Sequence, residues 1–126
     1  MKDFRGHRIQ NQSRFNGPLA SEVGLKVRDT VAGIMGAHRV SSFPQDWQSY
    51  SREMAKREPP LRVVLWVEDD LARMHPLRWQ ARASALMNQI KTYACWLTPR
   101  VLVINSRMAR TLPDLTVQNV SSPGSP

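Results

Sequence analysis

Three adjacent carboxylates, Glu68, Asp69 and Asp70, close an apolar run at 61–67. Carboxylates at a strand end are the material of Mg²⁺ sites, which take one or two of them together with water. Side chains next to each other on an extended backbone diverge, so at most two of the three could meet on one ion. No lysine or further acid joins them nearby. They read as acids beside a helix N-terminus that keep a strand end in solvent. The other chemical end of the chain is its start. Lys2, Arg5, Arg8 and Arg14 face a single acid, Asp3, within the first fourteen residues. Clustered cations of this kind suit phosphate, and arginine does so with a planar, bidentate fork. A third pair, Gln89 and Tyr93, is four residues apart and so shares a helical face. Cys95 is the lone cysteine, which excludes an internal disulfide and any cysteine-cluster zinc site.

These groups need elements to hold them. The residues near 2–9 read as a strand or extended arm anchored by Phe4 and Ile9. Pro18 opens a helix at its first position, where its missing N–H is harmless. Leu19, Val23, Val27, Val31, Ile34 and Met35 then recur at helical spacing over 18–39. Gly24, Gly33 and Gly36 weaken this helix, so packing must hold it, and a glycine lets it lie close on a sheet. Glu22, Lys26 and Asp29 form an ion-pair ladder beside the apolar stripe. A second helix near 46–57 carries Trp47, Tyr50 and Met54 on one face and reads as a lid with a buried aromatic face. The run 61–67 shows no polar alternation, which predicts a strand buried on both sides. Trp79, Ala83, Leu86, Ile90, Ala94 and Leu97 follow one face of a helix near 76–97. Arg78, Arg82 and Gln89 lie opposite, toward solvent or a partner. A last strand spans 101–105, and Leu112, Leu115, Val117 and Val120 offer a short edge segment. The expected fold is α/β: a two- or three-layer domain over 1–120 with a short, mainly parallel sheet. Residues 121–126 read as a disordered tail.

Composition sets the outer limits. A chain of 126 residues with 41% apolar content builds one domain with one core. No apolar run reaches membrane-spanning length and no signal peptide is visible, which predicts a cytoplasmic protein. Eighteen Lys and Arg against ten Asp and Glu give a net charge of +8, favouring nucleic acid as partner.

Three resemblances bear on function. Val64–Asp70 resembles the opening strand of response-regulator receiver domains, with Asp114 at a suggestive distance. That architecture needs three further strand–helix units, and twelve residues follow Asp114. The run Lys2-Asp3-Phe4-Arg5-Gly6 resembles the end of the catalytic strand of PD-(D/E)xK phosphodiesterases, where an acid, any residue and a lysine precede a helix, a strand, a helix and a strand. Lys2 matches the motif lysine, and the order downstream matches over most of the chain. Gln89 and Tyr93 resemble a helical motif in one branch of nucleases related to RecB.

The resemblance implies a Mg²⁺-dependent phosphodiesterase in which carboxylates fix the metal. The metal then lowers the pKa of the attacking water, and the lysine stabilises developing charge. The motif acid would stand two residues before Lys2, and the metal-binding strand further upstream, so the sequence reads as a truncated or decayed nuclease-like domain. As given it is expected to hold no metal and to be inactive. Lys2 would be the surviving catalytic-position residue, and Lys2, Arg5, Arg8 and Arg14 the nucleic-acid contacts. The alternative is a non-catalytic α/β module that binds nucleic acid or protein. An absent strand also predicts an open sheet edge and self-association through it.

Overall fold

The valine-rich strands set the architecture. The structure, a computed structural model, describes residues 2–3 and 18–111. The element order is β1 (Lys2–Asp3), α1 (Pro18–Val40), α2 (Gln45–Ala55), β2 (Val63–Glu68), α3 (Asp70–Met74), α4 (Pro76–Ala94), β3 (Val101–Ile104) and a 3-10 turn (Ser106–Thr111). The strands lie in the order β1-β2-β3, all parallel. Lys2 stands opposite Val67 and Asp3 opposite Glu68. Val63 to Trp66 stand opposite Val101 to Ile104. The expected α/β class and its three principal helices are therefore present, with boundaries moved by one to three residues. Of the strand expected near 2–9, the described part is Lys2–Asp3. Arg5, Arg8 and Arg14, the segment 112–120, Asp114 and the tail 121–126 lie outside the described residues.

The core joins Leu19, Ala20 and Val23 of α1 to Trp79, Leu86, Ile90 and Ala94 of α4, over Leu65, Val67, Val101 and Val103. Both long helices thus cover the same face of the sheet. Right-handed crossovers that step the same way across a parallel sheet require this. The expectation that β2 is buried on both sides is corrected accordingly. Val67 is 1% exposed, whereas Val64, one face over, is 41% exposed. Thr98 closes the bottom of the sheet. Its hydroxyl donates to the Leu61 carbonyl at 2.7 Å and accepts from the Arg100 N–H at 3.1 Å, tying the entries of β2 and β3 together.

α1 outruns the sheet. In its first two turns Leu19, Ala20, Val23 and Gly24 are buried, while Met35 and Val40 further along are exposed. α2 packs on this outer half and buries Ser51, whose hydroxyl meets the Met35 sulfur at 3.4 Å. The aromatic face expected to be core is therefore at the surface: Trp47 is 36% and Tyr50 58% exposed, their rings 6.2 Å apart. A helix resting on another helix rather than on a sheet leaves its large residues at the rim. Among the three glycines of α1, a Cβ at Gly24 would stand 2.5 Å from Tyr93 Cβ, so the close approach is to α4, not to the sheet. Gly33 and Gly36 have open space around them. The ladder within α1 is also rearranged: Asp29 pairs with Arg28 at 3.3 Å rather than with Lys26. No described helix is long and apolar enough to cross a membrane.

Candidate functional site at the carboxyl end of the sheet

Open α/β sheets gather ligands where their strands end, and here that end is built from the acids singled out above. Glu68 is the last residue of β2. Its Oε1 accepts from Trp66 Nε1 at 2.8 Å and from the Ser106 backbone N–H at 2.7 Å. One carboxylate thus fixes the indole beside it and ties the end of β2 to the turn after β3. Asp69 is only 6% exposed. Its Oδ1 accepts from the Leu71 N–H at 3.3 Å, capping α3. Its Oδ2 meets Arg82 Nη1 at 3.3 Å. The expected solvated strand end is corrected: the backbone folds at once into α3, whose free N–H groups draw the carboxylate inward. Arg82, expected to face solvent, is correspondingly turned onto Asp69 from α4.

Replacing Asp69 by alanine removes the cap and the charged hydrogen bond from Arg82 Nη1. The expected cost is about 1–3 kcal/mol, a cap being worth about 1 kcal/mol and a charged hydrogen bond somewhat more. Asp69→Asn should recover part of it, because the amide oxygen still accepts from Leu71. Chemical denaturation of both variants measures this. Equal losses for Asn and Ala would show that the cap contributes nothing.

Between α3 and the turn after β3 lies a hollow of about 220 Å³, lined by Glu68, Asp69, Asp70, Ala72, Arg73, Asn105, Ser106 and Arg107. Asn105 is buried and its Oδ1 accepts from the Arg107 N–H at 3.0 Å, which sets the turn. Among the described residues the ion pairs are Arg28–Asp29, Lys56–Glu53 and Arg82–Asp69. Arg73 and Arg107 take part in none of them and are exposed at the mouth of the hollow. β1 brings Lys2 to this same end of the sheet, beside Val67. The sequence pointed to Lys2. It did not single out Arg73 or Arg107, which are 34 positions apart and become neighbours only through the parallel ladder.

Among the described residues no three acids, histidines or cysteines come together as ligands. Both oxygens of Asp69 meet partners, the Leu71 N–H and Arg82, and Glu68 Oε1 accepts from the Trp66 and Ser106 N–H groups. Gln89 and Tyr93 line a different hollow, with Ala20, Asn88 and Thr92. There the Gln89 Oε1 is buried without a hydrogen-bond partner, and Tyr93 serves as the wall against Gly24. Cys95 is exposed, its Sγ 3.5 Å from the Thr92 carbonyl. Compared with family models, with curated proteins and with solved structures, the chain matches none.

Proposed function

We propose that this domain binds the phosphate backbone of nucleic acid at the carboxyl end of its sheet, and that it does not by itself hydrolyse it. The observation that carries the reading is the convergence of Arg73 and Arg107, neither of them in an ion pair, with the strand that bears Lys2. Exposed cations outside ion pairs release counterions when phosphate takes their place, and of the acids in the same lining Asp69 is held by Leu71 and Arg82 and Glu68 Oε1 by two N–H groups. Arg5, Arg8 and Arg14 follow Lys2 directly in sequence and would extend the same basic end. The net charge of +8 is in keeping with it.

The strand–helix–strand–helix–strand order, with the lysine strand beside and parallel to β2, supports kinship with the later half of a PD-(D/E)xK-type nuclease. Lys2 would then keep its phosphate-binding role. In that family Mg²⁺ chemistry needs an acid two residues before the motif lysine, so the role proposed for this chain is binding.

Binding of a fluorescent oligonucleotide over a salt series tests this. Affinity should fall steeply, with log K linear in log salt. Arg73→Ala combined with Arg107→Ala should weaken binding about tenfold and reduce the slope by roughly 2, since each phosphate contact contributes about 0.9. Duplex incubated with the protein and Mg²⁺ should stay intact. Binding that ignores salt, or a double variant that binds like the wild type, would overturn the proposal and favour a protein partner instead.

A further inference from the structure

A second hollow lies at the opposite end of β2 from Arg73 and Arg107. It is a groove of about 560 Å³ between α1 and the start of β2. Val23, Val27 and Val31 line its helical wall, one turn apart on a single face of α1. Val63 and Leu65 line the strand wall, and Leu97, which follows α4, joins them. Val27, Val31, Val63 and Leu97 are only half-buried, so apolar surface stays open to the groove. Small-molecule sites are hollows of about 300–1,000 Å³ with mostly apolar walls and a few placed polar groups. The charged groups here have one sign. Lys26 stands on the helical wall and Arg62 on the strand wall, and none of the lining residues is an acid. Neither cation belongs to an ion pair of the described residues, and Asp29, nearly one turn on from Lys26, is taken by Arg28.

We propose that this groove holds an aliphatic carboxylate, its tail along the valines of α1 and its head paired with Lys26 and Arg62. Each part of the ligand follows from a part of the groove. Apolar walls favour a tail that leaves water, and every buried methylene adds to the affinity. From Val23 to Val31 the helix rises about 12 Å, the reach of an extended alkyl chain of roughly ten carbons. An arginine fork donates two parallel N–H groups to the two oxygens of a carboxylate, and a lysine ammonium adds a further donor. Thr30, one turn beyond Lys26 on the same wall, offers a hydroxyl. A cationic head would be repelled by the same two groups, and a neutral alcohol would forgo the charged hydrogen bonds. The groove shares no residue with the hollow at the carboxyl end of the sheet. It therefore stands or falls apart from nucleic-acid binding.

Calorimetric titration of the full chain with hexanoate, octanoate, decanoate and tetradecanoate, each below its micelle concentration, tests this. Kd should fall about three- to fourfold for each added methylene up to about ten carbons and then level off. Decanol and decyltrimethylammonium should bind about tenfold more weakly than decanoate, or worse. Lys26→Ala combined with Arg62→Ala should weaken decanoate by a similar factor and leave decanol unchanged. Arg39→Ala combined with Arg78→Ala removes the same charge from positions outside the groove and should leave decanoate unchanged. All four side chains are exposed, so neither double variant should disturb the fold. The proposal is overturned if decanoate does not bind at millimolar concentration, if affinity ignores chain length, or if decanol binds as tightly as decanoate. Equal losses in the two double variants would overturn it as well, since they would show attraction to net charge alone.

Discussion

Gly24→Leu is expected to lower stability by about 3 kcal/mol or more and to leave the domain largely unfolded on mild heating. α1 and α4 cross where Gly24 meets Tyr93, and a Cβ alone would stand 2.5 Å from Tyr93 Cβ. Tyr93 Cβ is fixed to its helix and cannot swing aside as a long side chain would. One helix must move, and overpacking of this kind usually costs about 1–3 kcal/mol even for small additions. An approach of 2.5 Å puts Gly24→Ala at the upper end of that cost, and the helix-propensity gain of about 1 kcal/mol leaves a net loss of about 2 kcal/mol. Gly33→Ala has the opposite sign. Nothing lies within 4 Å of its Cβ position, so only the propensity gain remains, up to about 1 kcal/mol. Urea midpoints at unchanged slope separate the three variants. A Gly24→Ala protein as stable as the wild type would mean that the two helices are not this close.

Leu86→Ala should cost about 3 kcal/mol, within the usual 2–5 kcal/mol for a buried leucine. Leu86 is 1% exposed and sits in the middle of α4, inside the cluster formed with α1 and the sheet. Nearby residues belong to helices and strands that cannot collapse into the space. Leu77, on the same helix, is 80% exposed, and Leu77→Ala should change stability by less than about 0.5 kcal/mol. Losses of that order are a large share of the 5–15 kcal/mol that holds a typical domain folded, so Leu86→Ala should show a clearly lowered melting temperature. Similar effects at both positions would place α4 in a different rotation on the sheet.

Both leucines lie on the same helix, yet only one was legible as core. Trp79, Ala83, Leu86, Ile90 and Ala94 were readable because a helix on a sheet buries a stripe of fixed period. Leu77, Met74 and Trp96 are apolar too and remain exposed, since they fall off that stripe. The stripe of α1 was readable in the same way, but its end was not. Periodicity says which face is apolar and not how far the sheet beneath extends. Past Val31 the helix packs, among the described residues, on α2, and Met35, Val40, Trp47 and Tyr50 stay exposed.

The sequence by itself determined the alternation of strands and helices, the proline starts of α1 and α4, and the parallel pairing that long crossovers impose. Those are local or topological matters. Only the tertiary structure decided that both helices share one face of the sheet, because that depends on the direction in which successive crossovers step. It also decided what the three acids do. Glu68 straps β2 to the turn after β3, and Asp69 caps α3 and holds Arg82, through partners 13 to 38 residues away. Spacing along a chain carries no trace of such partners. The same reason hid Arg73 and Arg107, which line one hollow because two parallel strands end side by side.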